Sequence, residues 1–110
     1  MPRLSTHVLD TASGKPAANL RVVLRAGDAV LADTATNADG RVTLLQGDAV
    51  RRGAYELAFH VGDYFRKNKV TLADPAFLDV VPVRFSLDGT TDAHVPLLLS
   101  PFGYSTYRGS

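Results

Sequence analysis

Three histidines, one arginine set directly after a turn, and an aromatic, cationic chain end are the features of this sequence that could carry chemistry. Histidine titrates near neutrality and can take or give a proton there, a role worth roughly 10²- to 10⁴-fold in rate. His7 lies among Ser5, Thr6 and Asp10, which give the first apolar segment a polar face that a core strand does not require. His94 opens the run that leads into the terminus. His60 is out of phase with Tyr55, Leu57, Phe59 and Val61, so it points away from the core as a solvent-facing bystander. Arg41 follows Asn37-Ala38-Asp39-Gly40 at once. Its plain reading is the first residue of a strand. Its chemical reading is a permanent, planar, multi-donor cation for carbonyl oxygens, which lysine does not imitate. Tyr107-Arg108-Gly109-Ser110 place a ring, a guanidinium and a hydroxyl where a chain ordinarily frays.

Other chemistries find less support. Two histidines can hold a metal-bound hydroxide, but no His-x-His, HExxH or cysteine pair occurs, and His7 and His94 stand 87 positions apart. No G-x-S-x-G elbow presents a serine nucleophile. The absence of cysteine removes thiolate and disulfide chemistry. Twelve Lys plus Arg against eleven Asp plus Glu leave no strong field to recruit nucleic acid or an anionic membrane. No stretch approaches the ~20 apolar residues of a membrane span. MPRLSTHVLD has no apolar leader and the chain does not end in SKL, so the expectation is a cytoplasmic protein.

The elements that must position these residues read as short strands between turn signals, because apolar residues alternate with polar ones and almost nowhere repeat at helical spacing. Leu4 to Asp10 is the first strand, and Ser13-Gly14-Lys15-Pro16 turns the chain. Leu20, Val22 and Leu24 give a second strand with one face in the core. Asp28 to Asp33 reads as a turn and short bridge, Asp39-Gly40 as a reversal and Val42 to Leu45 as a short strand. Gly47 to Gly53 is a loop, and Tyr55 to Val61 is the cleanest alternation. Asp63 is placed to cap one helical turn over Tyr64 to Asn68. Lys69 to Val80 has no clear pattern, with Asp74-Pro75 a turn or a second helix start. Val81 to Leu87, Val95 to Leu99 and Phe102 to Tyr107 complete about eight strands, a spacing that argues for two packed antiparallel sheets. With 110 residues and no internal repeat or linker, one domain over residues 1–110 is expected.

Three separated motifs carry a family likeness. THVLD (Thr6 to Asp10), TNADGR (Thr36 to Arg41) and HVPLLLSPFGYSTYRGS (His94 to Ser110) closely resemble those of the 5-hydroxyisourate hydrolases, the transthyretin-related enzymes of urate breakdown. The resemblance implies an all-β fold, a transthyretin-like two-sheet antiparallel β-sandwich with one short helix. It implies a cofactor-free and metal-free hydrolase in which His7, Arg41, His94 and the terminal residues gather in one pocket. His7, Arg41, His94 and Ser110 would be catalytic, with His7, Arg41, Tyr107, Arg108 and Gly109 holding the substrate. Both histidines would share the proton handling, and which one is the base stays open. The resemblance also implies a homotetramer, a dimer of dimers with the sites at the dimer–dimer interface, a reasonable use of closed symmetry for a sandwich with edge strands to cover.

Two other functions compete. A transthyretin-like carrier would share fold and assembly but has no use for His7, Arg41, His94 and an intact YRGS end together. A plain sandwich interaction module would leave freshly generated 5-hydroxyisourate unchanged.

Overall fold

The computed structural model describes residues 1–110. Nine strands and one helix follow in the order β1 (Arg3–Asp10), β2 (Lys15–Pro16), β3 (Arg21–Ala26), β4 (Ala29–Ala35), β5 (Arg41–Gln46), β6 (Gly53–His60), α1 (Val61–Lys67), β7 (Val80–Leu87), β8 (Ala93–Ser100) and β9 (Gly103–Thr106). One sheet runs β2-β1-β8-β9 with β5 also paired to β1, and the other runs β4-β3-β6-β7. Their facing sides close on Leu4, Val8, Val22, Leu24, Leu57, Phe59, Val81, Leu97 and Leu99, all of them buried. Each such side chain contributes roughly 1.5–3 kcal/mol by leaving water. No helix is long and apolar enough to cross a membrane.

The two-sheet expectation holds, with one pairing of another kind. β1 and β8 run parallel, with Leu4 opposite Ala93 through to Asp10 opposite Leu99, so the first and penultimate strands lie side by side at the centre of their sheet. The expected turn over Asp28 to Asp33 is strand β4, an exposed edge whose polar and small residues mute the alternation signal. Part of the Gly47 to Gly53 loop is a single 3-10 turn, Gly47–Ala49. Phe102 belongs to the β8–β9 turn instead of a strand, and it is 67% exposed.

The helix starts earlier than Asp63 suggests. Val61 leaves the strand and, with Tyr64 and Phe65, makes a buried i, i+3, i+4 stripe that seats α1 on the sandwich. Asp63 therefore lies inside the first turn, makes no cap and accepts instead from Arg66 Nη1 at 3.1 Å. Between α1 and β7 there is no second helix at Asp74-Pro75.

The polar residues of β1 divide between its faces. Thr6 and Asp10 point inward with Leu4 and Val8, leaving Ser5, His7 and Leu9 on the outer face. Thr6 Oγ1 donates to the Val95 carbonyl at 2.6 Å, tying β1 to β8. The Asp10 carboxylate, 4% exposed, accepts from Tyr64 Oη at 2.9 Å and from the N–H groups of Ala12 and Ser13. Burial, together with the Asp10 charge, pushes the Tyr64 hydroxyl up to about 12. Tyr64→Phe leaves a buried carboxylate one donor short. It should cost about 1.5–3 kcal/mol, read by denaturant unfolding, without changing the outer face of β1.

Candidate active site

The outer face of the β1 sheet collects the chemistry. In β1 and β5 residues directly opposite share a face, and His7 is opposite Arg41, as Ser5 is opposite Thr43. On the other side of β1, Ser5 is the register partner of His94 in β8. Two histidines that stand far apart in the chain are thereby carried on neighbouring strands, with an arginine on the third.

Arg41 owes its place to the turn before it. Asn37 Oδ1 accepts from the N–H groups of Asp39 at 2.9 Å and Arg41 at 3.0 Å, which closes the loop on itself. Gly40 has φ +74°, and a Cβ there would lie 2.6 Å from the Val8 carbonyl oxygen, so only glycine lets the turn dock on β1. The Val8 N–H donates to the Gly40 carbonyl at 2.8 Å and completes the dock. Neither Arg41 nor Arg3, which begins β1, takes part in any of the chain's ion pairs.

The chain end reaches His94 by continuing a ladder. β9 pairs with β8 through Thr106 opposite Leu97, and the same register brings Gly109 opposite His94, where the Gly109 N–H donates to the His94 carbonyl at 2.9 Å. Pro96 lies in the gap. It has no N–H to offer, and its carbonyl is taken by Thr106 Oγ1 at 2.7 Å, so Tyr107 and Arg108 leave the ladder before Gly109 rejoins it. Gly109 then lies flat against the imidazole. A Cβ there would sit 2.6 Å from His94 Cδ2, so glycine is required by space and not by its backbone angle.

On its other edge the ring is held by Ser5, whose Oγ is 2.8 Å from His94 Nδ1. Burial, reinforced by the positive charges of Arg41, His7 and Arg3, holds the His94 imidazole below its ordinary pKa. It is accordingly neutral at pH 7.

Two adjoining clefts open over these groups. One, of about 220 Å³, is lined by Arg3, Ser5, Arg41, Asp92, His94 and the Gly109-Ser110 end. The other, of about 180 Å³, shares Arg3, Ser5, Arg41 and His94 and extends over Asn37 and Thr43. Of the residues expected together, Arg41, His94, Gly109 and Ser110 meet in the first cleft. His7 is set beside Arg41 on the strand pair. Tyr107 and Arg108 line a different cleft, against Val83, Phe85 and Val95 at the sheet edge, where Tyr107 is 59% exposed. Arg3, Ser5, Thr43 and Asp92 were not singled out from the sequence. Strand alternation could have found the first two, since Arg3 and Ser5 share the face of His7. No three histidine or carboxylate side chains converge as a cation site. A larger concavity of about 490 Å³ over Tyr55, Glu56, Arg84 and Phe85, on the other sheet, has no histidine.

A β-sandwich whose outer sheet face brings a histidine, an arginine without an ion-pair partner and residues Gly109 and Ser110 to one cleft holds groups able to move a proton and to bind an anion. The chain belongs to the HIUase/Transthyretin family, whose model matches residues 4–109. It is 56% identical over 115 residues to 5-hydroxyisourate hydrolase 2 of Rhizobium meliloti (strain 1021), covering 98% of this chain and 96% of that one. Among solved structures it superposes on 5-hydroxyisourate hydrolase of Klebsiella pneumoniae with TM-score 0.87 and 34% identity over the whole of both chains. It superposes on an (S)-allantoin synthase with TM-score 0.92 and 37% identity, over 99% of this chain but only 44% of that one.

Proposed function

We propose that this chain hydrolyses 5-hydroxyisourate, opening its lactam ring to 2-oxo-4-hydroxy-4-carboxy-5-ureidoimidazoline, with the cleft between Arg41, His94 and Ser110 as the catalytic site. The observation that carries the assignment of the site is the convergence of His94, Arg41 and the terminus on one cleft. The hydrolase names of full-length relatives support this activity over a carrier of the same fold.

The roles follow from the groups. Neutral His94 takes a proton from water as it adds to the lactam carbonyl carbon. Negative charge then gathers on the carbonyl oxygen, where the Arg41 guanidinium, lacking a carboxylate partner, offers paired donors. The C–N bond breaks, the proton passes from the imidazolium to the leaving ring nitrogen, and a carboxylic acid remains. His7, opposite Arg41 on the strand pair, shares in the proton handling. Ser110 orients water or substrate through its hydroxyl. Tyr107 and Arg108 reach the substrate from the neighbouring cleft.

The assembly belongs to the same reading. A homotetramer, as a dimer of dimers with sites at the dimer–dimer interface, would cover the edge strands β9 and β7 and close the outer face of the β1 sheet over the cleft. The exposed Tyr104 on β9 supports this. Sedimentation of the purified protein tests it.

The activity is tested by the ultraviolet decay of freshly generated 5-hydroxyisourate, measured against its spontaneous rate. Arg41→Lys keeps the charge but not the fork. It should lose roughly 10²-fold or more in kcat/KM, the scale of a lost oxyanion donor. Near-normal activity in the lysine variant would mean that charge alone suffices.

A further inference from the structure

One contact at the cleft takes no part in these roles, the hydroxyl of Ser5 against His94. We propose that Ser5 is a positioning residue that accepts a hydrogen bond from His94 Nδ1–H, so that the lone pair stands on Nε2, the nitrogen that takes the proton from water. The proposal rests on the hydrolase reading above and adds to it the atom that acts and the residue that selects it.

The geometry comes from strand register. Ser5 and His94 are partners across the parallel β1–β8 pair, 89 residues apart in the chain, and Oγ to Nδ1 is 2.8 Å. Ser5 Oγ makes no other hydrogen bond and His94 Nε2 has none within the protein, so the pair is free to settle in either tautomer. Ring orientation is the more constrained. Gly109 packs on the Cδ2 edge, and a half-turn of the imidazole would put that carbon against Ser5 and the polar Nδ1 against the terminus.

The surrounding charges select the tautomer. His94 is faced by Arg3 and His7 from β1, by Arg41 from β5, by Arg84 from β7, by Asp92 just before β8, and by the tail at Tyr107, Arg108 and Ser110. Burial is the first cause of the lowered pKa of the ring, and Arg41, His7 and Arg3 add to it as a positive field. A positive field favours a lone pair over an N–H on the nitrogen open to the cleft. The proton then belongs on Nδ1, where the serine oxygen accepts it. This is the usual logic of a functional histidine, whose second nitrogen is fixed by the group behind it.

The test combines spectroscopy with kinetics. In protein labelled with ¹⁵N-histidine, with His94 assigned by the spectrum of His94→Ala, the neutral ring should show a protonated, pyrrole-type Nδ1. Ser5→Ala should lower kcat roughly 10- to 100-fold, the scale known for removal of a group that orients a metal-bound histidine, with little change in KM. Ser5→Thr, which keeps the hydroxyl, should restore most of it. The acid limb of the Ser5→Ala profile should move to lower pH, because the lost acceptor stabilised the imidazolium more than the neutral ring. A pyridine-type Nδ1, an acid limb that moves upward, or a Ser5→Ala variant with unchanged kcat would each overturn the proposal. Absence of any hydrolysis in the parent protein would overturn the hydrolase reading instead, and the nitrogen shifts would still report the tautomer. Thermal melting of both variants separates loss of fold from loss of positioning.

Discussion

Deletion of Tyr107 to Ser110 should abolish hydrolysis while the sandwich melts nearly as before. The cut falls just beyond β9, which ends at Thr106, and spares the buried Leu97 and Leu99. Apolar residues near the end do not complicate the result, since Phe102 and Tyr104 precede the cut and Tyr107, which it removes, is exposed. What is lost is local: the Gly109 N–H bond to the His94 carbonyl, the backbone against the imidazole, and the Ser110 wall of the cleft. A single substitution should reproduce much of the effect. Gly109→Ala puts a methyl group 2.6 Å from His94 Cδ2, so either the tail lifts or the ring turns. A misplacement of about 1 Å at a reacting group costs on the order of 10²-fold. The measurement is initial rate and melting temperature for the deletion, for Gly109→Ala, and for a tag appended after Ser110. If the deletion keeps its rate, the terminus is only a strand end.

The second large effect is at the histidines. His94→Ala should lower turnover by ~10²-fold or more, as should His7→Ala, and the double variant should lose much less than the product of the two, because residues acting as one unit are not additive. Multiplicative losses would separate them. The parent pH profile carries the sign of the electrostatics. The folded pKa of His94 is depressed, first by burial, so if this ring is the base, activity should persist to lower pH than an ordinary histidine would allow and fall as pH drops through the lowered value. The same shift makes a stabilising contribution that is present above the unfolded histidine pKa and lost as pH falls through the folded one. His60→Ala should be nearly silent, since His60 ends β6 on the other sheet with Val80 as its partner.

Much of this was legible in the residues. Val81 to Leu87 falls where its alternation puts it because one face is buried and the other is not, and Tyr55 to Phe59 does so with only the small Ala58 buried on its second face. β4 was missed because an exposed edge has no such contrast. Asp63 resembles a cap, but α1 begins before it because the apolar Val61, Tyr64 and Phe65 decide where the helix seats. Residue type and family likeness together point to His94, Arg41 and the chain end, and the fold brings His94, Arg41, Gly109 and Ser110 to one cleft. Neither signal marks Arg3 or Ser5, because their importance lies in what they stand beside. A parallel pairing between β1 and β8 cannot be read from either strand alone. Nor could the alternation of β1 show that Thr6 and Asp10 turn inward, each satisfied by a partner far along the chain.

The parallel pairing has a further consequence, for the order in which the molecule can be assembled. Ser5 and His94 are joined across 89 residues, and β1 has no neighbour on that side until β8 is in place. Pairings so distant in sequence bring a large loop-closure cost before any reward, which slows folding relative to local structure. During synthesis the β4-β3-β6-β7 sheet can complete itself first, while β1 waits with one side open. The cleft is therefore among the last parts of the protein to exist, and a chain stopped anywhere before β8 holds a histidine and an arginine but no site.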